Sequence, residues 1–147
     1  MWMENIMVCG FLGICSIHDC RTRKIPCWLL GTGLVLAVCC CLSEVAAGGL
    51  GWGDFLSGLI PGAVMLLYSR MTEDKMGTAD GLMALPVGLL HQWQLCAAEI
   101  FTACLLTFAV AVYLLVSRKG TRSTQIPFAP FFLAAVVIFW VRTGIHR

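Results

Sequence analysis

Eight carboxylates occur in this chain of 147 residues, and two of them adjoin hydrophobic sequence closely. Asp19 follows the apolar run Ile6–Ile17, and Asp80 precedes the run Gly81–Leu90. The others have plainer settings: Glu4 near the N-terminus, Glu44 and Asp54 around a Gly-rich turn, Glu73 and Asp74 in a polar loop, and Glu99 near a later turn. An ionisable group at the edge of hydrocarbon is costly unless it faces a wet cavity or a partner. Two carboxylates brought together there repel if both ionise, so such a pair holds a single proton. One can then activate a water while the other donates a proton to a peptide carbonyl. That is general acid–base peptide hydrolysis, with no metal and no covalent intermediate. The same two residues would serve equally as helix caps, or as part of an ion path, since each stands where a helix starts or ends.

The elements that must position them are apolar. The chain is 59% hydrophobic and 12% charged, whereas a soluble domain is about a quarter charged. The apolar residues form blocks at Ile6–Ile17, Trp28–Ala47, Phe55–Tyr68, Gly81–Leu90, Ile100–Val116 and Ile126–Val141. A bilayer core takes about 20 apolar residues to span. Several blocks must therefore borrow flanking residues such as Trp2, Trp52 and Trp93, whose amphipathic rings suit the interface. The expected fold class is all-α: a polytopic membrane protein of about six transmembrane helices, with residues 1–147 as one domain. The first block follows Glu4 rather than a basic segment, so it reads as a retained helix and not a cleaved signal peptide. The fourth block holds Pro86 and Gly88. It is expected to be short, broken or re-entrant, which is allowed where its backbone is buried in protein.

The basic residues set the expected topology. Arg21, Arg23 and Lys24 fall in the first connection, Arg70 and Lys75 in the third, and Arg118, Lys119 and Arg122 in the fifth. The second and fourth connections have none. With both termini outside, eight of the ten basic residues are cytoplasmic, Arg142 and Arg147 being the exceptions, as the positive-inside rule requires. Two spans separate Asp19 from Asp80 in that count, so both are expected at the same membrane face.

Nine cysteines contain no Cys-x-x-Cys pair, and His18, His91 and His146 lack partner spacing, so no metal and no cofactor are expected. Cys39, Cys40 and Cys41 lie mid-block and read as small apolar residues. Gly77 precedes Asp80 where a glycine would admit a backbone conformation closed to other residues and let a substrate strand approach. Gly58-x-x-x-Gly62 would let two helices touch, within the protein or between copies in a homodimer. The expected partners are the lipid bilayer and a protein substrate, with no nucleic acid.

Three segments resemble the prepilin peptidases. SIHDCRTRKIPCWLL is similar to their Asp-x-Arg-x-x-x-Ile-Pro segment, through Asp19, Arg21, Ile25 and Pro26. KMGTADGLMAL resembles their Gly-x-Gly-Asp motif through Gly77 and Asp80, with Ala79 at the second glycine. IPFAPFFLAA resembles their Ile-Pro-Phe-x-Pro segment through Pro127, Phe128 and Pro130. The resemblance implies an intramembrane aspartyl endopeptidase with Asp19 and Asp80 as the catalytic pair and Arg21, Pro26, Gly77 and Ala79 in support. It implies cleavage of type IV prepilin-like or pseudopilin precursors, in pilus assembly or protein secretion, at the cytoplasmic face of the bacterial inner membrane. Such precursors carry a short basic leader, a small residue at the cut and then a hydrophobic helix. Larger members have an N-terminal region with paired Cys-x-x-Cys motifs that methylates the new terminus. This chain lacks those pairs, so methyltransferase activity is not expected. If position 79 needs a positive φ, alanine is strained there by about 1 kcal/mol or more. That strain motivates the alternative reading, a catalytically weak member acting as a membrane scaffold or assembly factor. A small ion-coupled transporter ranks lower, because both carboxylates sit at one face and not near the midplane.

Overall fold

A straight helix over residues 78–116 would be nearly 60 Å long at about 1.5 Å per residue, and the chain does not form one. The structure, a computed structural model, describes residues 2–22, 25–72, 77–117 and 126–145. Its helices are α1 (Trp2–Thr22), α2 (Cys27–Ala46), α3 (Trp52–Gly58), α4 (Ile60–Met71), α5 (Thr78–Val116) and α6 (Ala129–Ile145), with no strand among the described residues. Inside α5, Gln92 takes φ 64 and ψ 161, far from any helix. Cys96 Sγ lies 3.7 Å from the Ala84 carbonyl oxygen, a pair that a straight helix would hold about 18 Å apart. The chain therefore reverses at Gln92 into two antiparallel legs, residues 78–91 and 93–116. The first leg is about 21 Å long, well short of a hydrocarbon core of about 30 Å, as the block with Pro86 and Gly88 foreshadowed.

That short leg is the centre of the molecule. Met83, Ala84 and Val87 are fully buried on it, against Leu12 and Cys15 of α1 and Phe132 and Val136 of α6. Pro86 has no N–H to return to the preceding turn. A leg weakened in this way persists because α5 packs on every other helix, so neither the missing bond nor the reversal is left to lipid.

Helices α3 and α4 form one broken rod. Leu59 between them keeps a helical φ of −77° and ψ of −19°, and Pro61 at the start of α4 interrupts the hydrogen-bond ladder. The rod lies so close to the first leg of α5 that a Cβ on Gly58 would come within 2.6 Å of the Gly88 carbonyl oxygen. Gly62 likewise faces Leu85. The Gly58-x-x-x-Gly62 face is therefore filled from within the chain.

Outward surfaces are greasy. Val35 and Leu36 of α2, Val64 and Leu67 of α4, Phe101 and Phe108 of α5, and Ile138 of α6 are all exposed. In water this would be an aggregation hazard; against acyl chains it costs nothing. Helices α2 and α5 are long and apolar enough to cross a membrane, and α6 holds a shorter apolar run, Ala129–Arg142.

Candidate active site

The end of α1 meets the start of α6, and Asp80 at the start of α5 lies within electrostatic range of Asp19 there. Asp19 is in the penultimate turn of α1, half-buried. It is tied there by the start of α6: the Ala129 backbone N–H donates to Asp19 Oδ2 at 3.2 Å, a contact spanning 110 residues. The sequence IPFAP builds that donor. The Phe128 carbonyl accepts from the N–H groups of Phe131 and Phe132, both at 3.0 Å, so Ala129 is the first residue of the helix. Its N–H has no partner inside α6, as for any helix start. Pro130 gives up nothing at the second position, where an N–H would be unsatisfied anyway. The Phe128 ring, buried and 5.8 Å from the Phe132 ring, anchors the turn in the core.

Asp80 is the third residue of α5, also half-buried, with its N–H bonded to the Gly77 carbonyl at 3.0 Å. Asp19 lies close enough to act electrostatically on the Asp80 carboxyl. The two carboxylates lie 61 positions apart in sequence and come within electrostatic range of each other in the fold. A helix start is a favourable place for a carboxylate, because the free N–H groups and the dipole point at it.

Two expectations about the flanking residues are corrected. Gly77 has φ −57° and ψ 124°, a conformation open to any residue, so its conformational freedom is not used. A Cβ there would stand 3.4 Å from Asp80 Oδ2, an ordinary van der Waals contact. Ala79 lies in the first turn of α5 and packs against the core. Among the described residues positive φ occurs only at Gln92 and Gly48. The strain considered for alanine does not arise.

Pro26 caps α2 in an extended conformation (φ −67°, ψ 133°), and its carbonyl accepts from Leu29 N–H at 3.0 Å. Arg21 is exposed in the last turn of α1; two positions from Asp19 on a helix, it points to a different face. Arg23, Lys24, Glu73, Asp74 and Lys75, the remaining charges of the two loops, lie outside the described residues. Below Asp19 an apolar cavity of about 250 Å³ opens between α1 and α2, with Phe11, Ile14 and Leu29 on its sides and Pro86 and Val87 of α5 in its wall.

Residues 6–116 match the family described as the type IV leader peptidases. The chain belongs to the type IV leader peptidase family. Both aspartates fall inside the matched stretch, and the Ile126–Pro130 segment falls beyond it. No curated protein and no solved structure matches the chain.

This leader peptidase-family chain also holds a polar pair that its sequence pattern conceals. His91 Nδ1 stands 2.9 Å from Glu99 Oε1 and 3.2 Å from Oε2, with side chains 4% and 1% exposed. His91, whose spacing suggested no metal site, and Glu99, placed near a turn, clamp the two legs of α5 together across Gln92. One signal was available: Glu99 directly precedes the apolar run Ile100–Val116, and a carboxylate in such a place needs a partner.

Proposed function

We propose that the protein is an intramembrane aspartyl endopeptidase that removes the leader of prepilin-like or pseudopilin precursors. The observation that carries this reading is the meeting of Asp19 and Asp80 at one end of the bundle, in a chain of the type IV leader peptidase family. Asp19 accepts a backbone N–H at the start of α6. Asp19 is accordingly assigned as the base that activates water, and Asp80 as the acid that protonates the scissile carbonyl oxygen or the leaving amine. The hydrophobic segment of the precursor would lie along the apolar cavity between α1 and α2, which begins near Ile14, about one and a half turns from Asp19.

The proposed setting is the bacterial cytoplasmic membrane, crossed six times with both termini outside. The reversal of α5 at Gln92 supports that count by returning the chain toward the end where its short first leg begins. The single transmembrane unit would need no metal and no cofactor for this chemistry. The scaffold alternative loses its motive now that Ala79 is an ordinary helical residue.

Cleavage of a co-expressed precursor with a basic leader and a hydrophobic helix tests the reading. Wild type is expected to cut it, and Asp19→Asn and Asp80→Asn each to lose about 1,000-fold in rate, within the range for a lost general acid or base. A rate near wild type in either variant would overturn it.

A further inference from the structure

Consecutive helices usually lie side by side, yet α1 and α2 hardly touch. Among the described residues α1 packs on α5 and α6, and α2 on α3 and α5, with almost no backbone approach between α1 and α2 themselves. The apolar cavity of about 250 Å³ occupies the gap. It runs from Ile14 and Leu36, which are exposed on the lipid-facing surface, inward to Val87, which is fully buried.

The wall offers nothing to a polar guest. Thr32, its one polar side chain among the described residues, donates its hydroxyl hydrogen to the Leu29 carbonyl at 2.9 Å. A water inside would lack the several polar partners that an ordered water needs. An apolar cavity of about 150 Å³ already takes a benzene ring, so this one suits a bulky apolar side chain entering from the membrane.

Phe11 and Gly33 set the size of that space. Both line the cavity, and the Phe11 ring lies against Gly33: a Cβ there would stand 2.7 Å from Cδ2 and 2.8 Å from Cζ. Carbon atoms pack no closer than about 3.5 Å without repulsion, so the ring has its seat only because residue 33 is glycine. Helix α1 carries both this wall and Asp19. Phe11 stands about 12 Å along the axis from Asp19. A chain cut beside Asp19 and running back along α1 into the membrane reaches the ring about four residues from the cut if extended, and about eight if helical.

We propose that Phe11, seated on Gly33, is a specificity-determining residue. It limits the bulk of the apolar side chain that the precursor's hydrophobic segment places in this cavity, about four to eight residues past the cut. The proposal rests on the peptidase reading for the path of the precursor, and adds which of its side chains is measured.

The test uses the full chain in nanodiscs, with precursors carrying Leu or Trp at each position of that window. The readout is the ratio of kcat/KM for Trp over Leu, which does not depend on how much of the protein is active. At one position Phe11→Ala is expected to raise the ratio about tenfold or more, the scale on which apolar pockets discriminate. Gly33→Ala unseats the ring, and is expected to change the ratio only while Phe11 is present. Combined with Phe11→Ala it should leave the ratio where Phe11→Ala alone puts it, the non-additivity of residues in contact. A ratio unmoved at every position in Phe11→Ala, in protein that cuts, overturns the proposal and leaves the peptidase reading standing. A wild type that cuts no precursor overturns the peptidase reading instead, and a second measurement then decides the proposal. Precursors bearing benzoylphenylalanine at the same positions are irradiated with the Asp80→Asn protein and the adducts mapped. Adducts on the cavity wall from one position support it; adducts nowhere on the wall, as for a cavity filled by lipid, overturn it.

Discussion

The two ends of this helix bundle each bring an acidic side chain to a partner, and they do it in opposite ways. At one end Asp19 and Asp80 come from different helices, remain half-buried, and are held by backbone: Asp19 by the Ala129 N–H, Asp80 by the first turn of α5. At the other end Glu99 is 1% exposed and is hydrogen-bonded to a histidine eight residues away. Acids gripped by backbone and left partly open retain their own chemistry for a third party. A buried carboxylate closed on a histidine spends its chemistry on holding a chain reversal. The two functions need different surroundings, and the first leg of α5, Thr78 to His91, links them as one rigid element about 21 Å long.

The comparison is broken most sharply by variants that should separate activity from stability. Asn at Asp19 or Asp80 should lower cleavage about 1,000-fold while leaving thermal unfolding in micelles within a degree or two of wild type. Glu99→Ala should do the reverse. Removing one partner of a buried pair is expected to cost about 3 kcal/mol of stability, read as an earlier unfolding transition. A Glu99→Ala protein that melts like wild type would mean the His91–Glu99 contact holds nothing.

A smaller effect probes how Asp19 is held. Ala129→Pro deletes the N–H that Asp19 accepts while leaving a residue suited to the first helical position. Cleavage should fall about tenfold, as for one hydrogen bond to a charged group, with melting measured alongside to exclude a packing fault. An unchanged rate would mean that the α6 start does not tune the acid pair. Smaller again is the gain expected from Gln92→Gly. Gln92 takes a backbone conformation that glycine reaches freely, so the substitution should stabilise the protein by about 1 kcal/mol in denaturant unfolding. A loss of stability would show that the Gln92 side chain contributes more than its backbone strains. Least of all is expected from Ala79→Gly: cleavage within about twofold of wild type, since glycine in a first helical turn costs less than about 1 kcal/mol. A large rise in rate would revive the idea that alanine restrains the site.

The sequence made the aspartate end legible and left the other end dark, for physical reasons. Asp19 and Asp80 stand out because hydrophobic runs adjoin them and because their flanking residues resemble a family's motifs. The shortness of the fourth element could be read from Pro86 and Gly88, which interrupt any long helix. The reversal itself could not be located, because it falls on Gln92, a residue type with no preference for positive φ, and is held by tertiary contacts. The His91–Glu99 pair was hidden for the same reason: a straight helix would hold residues eight apart about 12 Å from each other, so they pair only after the chain folds back. The function of IPFAP was legible as resemblance alone. Its physical task, presenting the Ala129 N–H to Asp19, depends on a contact across 110 residues. Gly77 misled in a different way, since a glycine ahead of Asp80 suggests unusual dihedrals, whereas its own are ordinary.

The central claim, that Asp19 and Asp80 act as one unit, is tested most directly by cleavage rates of the two single Asn variants beside the double variant. Groups that work on the same proton transfer are strongly non-additive, so the double variant is predicted to be about as slow as either single one. Two independent, multiplying losses, or full activity in any of the three, would contradict it.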